Sequence, residues 1–134
     1  ICVSVGKAGT ETPTGTWTMH RAGRWQELMG PSWGQYGTHV VNGIFVHSVA
    51  CGQANSYNLP VGEYLRLGNP ASHGCIRACV ADAKWVWDNC NGSKIHIFDG
   101  TYTSNEALKG PLGRKALTPL RGSKNFDPTD PACK

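Results

Sequence analysis

The residues best suited to chemistry lie in Ala71-Ser72-His73-Gly74-Cys75-Ile76-Arg77. A thiol attacks carbonyl carbon only as thiolate, a form favoured by neighbouring cations, imidazolium groups and helix N-termini. This stretch offers all three, with His73 and Arg77 in place and a helical pattern opening near Val80. Gly74 allows a tight turn and leaves room for a substrate carbonyl, and backbone amides at such a turn can form an oxyanion hole. Most lone cysteines are small buried apolar residues. The polar, glycine-bound context of Cys75 instead marks it as a catalytic thiol.

The elements that must position this thiol follow from the pattern on either side. Short β-branched or aromatic runs predict strands at 2–5, 16–19, 24–29, 38–41, 44–47 and 94–98. Asn42-Gly43 between two of these runs is a strong hairpin signal. Alternation puts Phe45 and His47 on one face of their strand, with His47 where a loop begins. Residues 30–37 read as loop, and Trp33 and Tyr36 there are candidates to line a pocket or cap the core. Residues 48–72 lack periodicity, and a loop of that length in a small domain is usually functional, so a lid over the site is expected. Cys79, Ala83, Val86 and Cys90 form one apolar stripe and predict a helix ended by Asn91-Gly92. After Asp99 the periodicity fades, and residues 99–134 read as an extension that wraps the domain or is partly mobile.

Composition bounds the function. A chain of 134 residues is one domain with one core. Seventeen glycines and eight prolines imply many turns. The net charge of +4 fits an anionic partner such as a cell-wall polymer without requiring one. No basic cluster interleaved with aromatics points to nucleic acid, and no apolar run reaches transmembrane length. The chain opens inside an apparent strand without a methionine, as a processed or trimmed fragment would. Six cysteines favour an oxidising, secreted setting with disulfides.

With these residues in view, the chain resembles the catalytic domain of the YkuD-type L,D-transpeptidases of bacterial cell walls. The resemblance rests on three ordered blocks: Thr12-Pro13-Thr14-Gly15-Thr16-Trp17; His47 followed after a spacer by Ser72-His73-Gly74-Cys75-Ile76-Arg77; and Val80-Ala81-Asp82-Ala83-Lys84-Trp85. Together they cover roughly residues 2–98, taken as the catalytic domain. Cys75 follows His47 by 28 positions (47 to 75), longer than the common family spacing, and the family's first strand, before Cys2, is missing. The resemblance implies a mostly β fold, a small β-sandwich or distorted barrel with one packed helix.

It also implies roles. Cys75 is the nucleophile toward a peptidoglycan stem tetrapeptide, with loss of its terminal D-alanine. His47 is the base, oriented by the carbonyl of Ser48. His73 and Gly74 shape the turn, and the amides of Gly74 and Cys75 are the oxyanion donors. Arg77, Ser72, Tyr36 and Trp33 are the candidate substrate contacts, Arg77 either for a stem carboxylate or for a salt bridge holding the turn. An amine acceptor would complete a 3→3 cross-link, while water would make the enzyme an L,D-carboxypeptidase. Carbapenem-type β-lactams are the implied inhibitors, the setting is extracytoplasmic, no cofactor is called for, and a monomer is expected. A structural zinc module built on His47, His73, Cys75 and Cys79, or a wall-binding module without catalysis, is the reading from another class, and its spacing does not match usual zinc patterns.

The remaining cysteines are constrained by distance. Cys79 and Cys90, eleven residues apart on one helix, sit roughly 16 Å apart, beyond the ~7 Å limit for a disulfide. Cys2, Cys51 and Cys133 remain as partners; one pairing joins Cys51 to Cys79, stapling the two halves of the site, and Cys2 to Cys90, leaving Cys133 unpaired, with Cys2–Cys51 or Cys79–Cys133 as the alternatives.

Overall fold

The structure, a computed structural model, describes residue 1, residues 3–99 and residues 125–133. It is mostly β. A mixed five-stranded sheet runs in the order β1 (Val3–Ser4), β8 (Ile76–Ala78), β7 (Ile44–Ser48), β6 (Thr38–Val41), β3 (His20–Arg21). β6 and β7 are the expected hairpin, with Asn42 at φ +49°, a left-handed position that Asn tolerates better than most residues. The central β7–β8 pair is parallel, which the intervening residues 49–75 allow by crossing over. A second ribbon pairs β2 (Gly15–Thr18) with β9 (Lys94–Ile97). A third pairs β4 (Trp25–Leu28) with β5 (Ser32–Gln35).

The helix α2 (Val80–Asn89) lies on one face of the main sheet and buries Val80, Asp82, Ala83 and Val86, close to the expected stripe. Val86 packs with Met19, Val40 and Val46, and the β2–β9 ribbon adds Trp17, Ile95 and Ile97 to that core. A neighbouring cluster joins Val80 and Ala83 to Tyr36 and Ala78.

Four expectations are corrected. Residues 30–37 are half strand, because β5 completes the β4 hairpin. Residues 48–72 are not a lid. They contain a second, short helix α1 (Val61–Leu65), and Val49, Leu59, Tyr64 and Leu67 form a buried cluster with Cys79, Tyr64 being fully inaccessible. Leu, Tyr and Val spaced irregularly through that segment carried no period, yet they bury enough apolar surface to make it core. The Cys51–Cys79 bond is not formed, since both are free buried thiols with other partners: Cys51 Sγ donates to the Val49 carbonyl at 3.7 Å and Cys79 Sγ to Asp82 at 3.2 Å. Cys90 is likewise free, which removes the Cys2–Cys90 bond, while Cys2 itself lies outside the described residues, as do residues 100–124 of the expected extension.

The end of the chain, residues 125–133, packs against α2 and β5. No side chain of the Cys79 N-cap closes α2. Instead Asp127 accepts the Val80 N–H at 2.8 Å and Thr129 Oγ1 accepts the Ala81 N–H at 3.1 Å. These are the unpaired donors of a helix start, and an anion there is also favoured by the helix dipole.

Candidate active site

Strand pairing brings the two halves of the site together. In the parallel β7–β8 pair, His47 lies opposite Arg77 and Val46 opposite Ile76. Side chains alternate along a strand, so Phe45 and His47 share a face with Cys75 and Arg77, while Val46 and Ile76 turn toward the core under α2. All four residues of the first set line one cavity of about 410 Å³, together with Ser72, His73, Gly43, Ile44 and Ala50. Its far wall is the β4–β5 hairpin, through Glu27, Leu28, Met29 and Ser32. Met29, 79% exposed, and the positive-φ Gly30 at the hairpin tip are the trace of this wall in the sequence.

His47 is 2% exposed. Its Nδ1–H donates to the carbonyl of Ser48, a very short contact. With Nδ1 occupied, Nε2 is the nitrogen left to take a proton. Ser48 is held in turn, its hydroxyl accepting the Gln35 backbone N–H at 2.8 Å. Gly34 presses on the imidazole: a Cβ there would lie 2.7 Å from Nδ1. Burial lowers the His47 pKa to about 4, against the Ser48 hydrogen bond and with some help from the charge of Arg77.

Cys75 sits on a turn held by hydroxyls. Thr12 Oγ1 accepts the Gly6 N–H at 2.9 Å and donates to the Gly74 carbonyl at 2.7 Å. Thr10 donates to the Ser72 carbonyl at 3.0 Å, and Ser72 donates to the Cys75 carbonyl at 2.5 Å. Gly74 has φ +124°, a conformation that favours glycine, and a Cβ on it would also push the end of the Ile44 side chain, 2.7 Å away at Cδ1. The Cys75 thiol donates to the Gly43 carbonyl at 3.6 Å.

The charge of Arg77 favours the thiolate as expected, but it does not decide the outcome. Burial pushes the Cys75 thiol above its ordinary value, outweighing a backbone hydrogen bond with Phe45 and the charge of Arg77. Thiol and imidazole are thus both neutral near pH 7.

Other expected residues separate. The Gly74 amide donates to the buried Ser72 hydroxyl at 3.1 Å and is not a free oxyanion donor. Ser72 itself is 1% exposed and acts as the bracket of the turn. Tyr36 is buried, stacks edge-on against Trp87 at 5.5 Å, carries Arg24 over its ring at 4.0 Å and does not line the cavity. Trp33 is tied through its backbone to Cys51 and is also absent from the cavity wall. Arg77 does line the cavity, but its guanidinium is 2.8 Å from Glu63 on α1, a partner the sequence pattern did not indicate. His73 is exposed at the cavity rim. Among the described residues no three His, Cys, Asp or Glu side chains converge in a metal-holding group.

Comparison with known proteins agrees with this geometry. A model of the YkuD family, the L,D-transpeptidase catalytic domain, matches residues 2–112. YciB of Bacillus subtilis (strain 168), assigned to the L,D-transpeptidases, is 59% identical over 27 residues, covering 20% of this chain and 14% of its own length. An L,D-transpeptidase from Mycobacterium tuberculosis H37Rv shares the fold at a TM-score of 0.58 and 23% identity, over 74% of this chain and 42% of that one. The L,D-transpeptidase LdtMt1 in complex with imipenem does so at 0.53 and 24%, over 73% and 48%. The chain spans less than half the length of each of these relatives. Because the family match takes in most of its residues, the chain belongs to the YkuD family of L,D-transpeptidase catalytic domains.

Proposed function

We propose that this domain is a peptidoglycan L,D-transpeptidase that works through an acyl-enzyme on Cys75. The observation that carries the reading is that His47, in β7, and Cys75, on the turn leading into the paired β8, line one cavity, with Nδ1 of His47 tied to the Ser48 carbonyl. As Cys75 attacks the carbonyl before the terminal D-alanine of a stem tetrapeptide, Nε2 of His47 takes the thiol proton. The C–N bond then breaks, the proton passes to the leaving amine, and a thioester remains. A side-chain amine of a second stem attacks the thioester carbonyl; a C–N bond forms, the C–S bond breaks, and the amine's proton passes through His47 to the departing thiolate, which leaves the Cys75 thiol and a 3→3 cross-link. The Cys75 amide is the oxyanion donor left once Gly74 is occupied. Arg77, already neutralised by Glu63, holds the strand end more than it binds a carboxylate.

Such a substrate places the working enzyme outside the cytoplasm. A β-lactam of the imipenem type would be opened by the same thiol and remain as an adduct. The test is incubation with a purified stem tetrapeptide, with and without an amine acceptor, followed by mass analysis. Release of D-alanine together with a cross-linked dimer supports the reading. Release with free tripeptide alone, even when the amine is present, identifies an L,D-carboxypeptidase. Absence of both turnover and a Cys75 adduct with imipenem rejects an acyl-enzyme.

A further inference from the structure

The hydrogen-bond chain behind His47 does not end at Ser48. Gln35, whose backbone N–H holds the Ser48 hydroxyl, is itself 3% exposed, and both ends of its side-chain amide are occupied. Its Oε1 accepts from Arg24 Nη1 at 2.9 Å, and its Nε2 donates to Asp130 Oδ2 at 2.9 Å. Asp130 is 3% exposed and lies beyond the residues matched by the family model, which stops at 112. Its other oxygen accepts the Ala132 N–H at 2.8 Å, which fixes the carboxylate within its own turn. Gly34, the residue before Gln35, is the one packed on the imidazole ring. A shift of Gln35 would therefore move both the contact that holds Ser48 and the surface that backs His47.

We infer that Asp130 and Gln35 are positioning residues for His47, so that the end of the chain sets the geometry of the proton transfer from Cys75. A side chain is held to the tolerance catalysis needs only when the groups behind it are themselves locked by packing and hydrogen bonds. Here the lock comes from a segment 95 positions from Gln35 in sequence. The inference rests on the reading of His47 as the base for Cys75.

The test is the rate at which iodoacetamide alkylates Cys75 near neutral pH, in the full chain, read by intact mass alongside thermal unfolding. The reaction forms an S–C bond, expels iodide and passes the thiol proton to His47, and it needs no stem peptide. Asp130→Ala and Gln35→Met should each slow it roughly tenfold, less than the hundredfold that a displacement of about 1 Å can cost. Asp130→Asn keeps one of the two acceptor oxygens and turns an NH2 toward the other donor, so its rate should fall between those of the parent and Asp130→Ala. In a His47→Ala background, Asp130→Ala and Gln35→Met should each change the rate less than about twofold, because the group they position is gone.

Parent-like rates in the folded Ala and Met variants overturn the inference. So does a tenfold loss that persists without His47, which would make Asp130 a general support of the fold. Should Asp130→Ala fail to fold, Gln35→Met in the two backgrounds decides. A chain that alkylates as expected yet leaves stem peptides untouched rejects the proposed function and leaves the positioning role standing. A His47→Ala variant that alkylates like the parent rejects the base assignment on which both rest.

Discussion

His47 lies in β7 and Cys75 just before the neighbouring β8, but the protein supports them in opposite ways. His47 is enclosed: its ring is buried, Gly34 packs on it, and its Nδ1 bond leads back through Ser48 and Gln35 into the molecule. Cys75 rides on a turn whose conformation is written by glycine and by three hydroxyls, those of Thr10, Thr12 and Ser72, all acting on backbone groups. Base strength and thiol acidity follow from the same enclosure, since burial disfavours both the imidazolium and the thiolate.

The contrast can be broken at several points. The largest effect is expected from Cys75→Ala, which should abolish the imipenem adduct and D-alanine release while thermal unfolding stays close to the parent. An adduct persisting on the variant would move the nucleophile elsewhere. Next, His47→Ala should slow acylation by about two to four orders of magnitude, the usual worth of a general base. His73→Ala, at the exposed rim, should change it by less than about threefold. Stopped-flow acylation of the two variants separates them, and the reverse order would exchange their roles.

Two substitutions probe the supports. Gly34→Ala places a methyl into the His47 ring and should cost about ten- to a hundredfold in acylation rate with little effect on substrate affinity. Thr12→Val removes the bracket between Gly6 and Gly74 and should lower stability by about 1–2 kcal/mol, read by denaturant titration. A larger kinetic loss in Thr12→Val than in Gly34→Ala would show that the turn, not the histidine pocket, is the more sensitive side.

The smallest effect is in pH dependence. His47 is held below its unfolded value of 6.5, at about 4, so the unfolded chain binds the extra proton between those values. Its contribution to stability is then complete above about pH 6.5 and declines as pH falls toward 4. The parent should lose more thermal stability than His47→Gln across that window, and the acid limb of kcat/KM for acylation should fall near pH 4. An acid limb near 6.5 would mean a solvated imidazole.

The sequence by itself determined the turn that carries Cys75, the hairpin that carries His47, the α2 stripe and the mostly β class. Each is written in residues close together: Ser72 to Arg77, the Asn42-Gly43 turn, Cys79 to Cys90. Alternation put Phe45 and His47 on one face, but that Cys75 and Arg77 share it depends on the parallel register of β7 and β8, a contact between distant segments. Tertiary structure also decided which aromatic residues reach the cavity, since Trp33 and Tyr36 face other partners while Glu27, Leu28 and Met29 form its wall. It made residues 48–72 into core and left Cys51 and Cys79 as free thiols. It supplied Glu63 to Arg77 and brought Asp127 and Asp130 to α2 and Gln35. Local patterns record backbone preference and the period of an exposed or buried face. They do not record which buried polar group will meet which, because that is settled only when unpaired donors and acceptors far apart in the chain are shut away from water together.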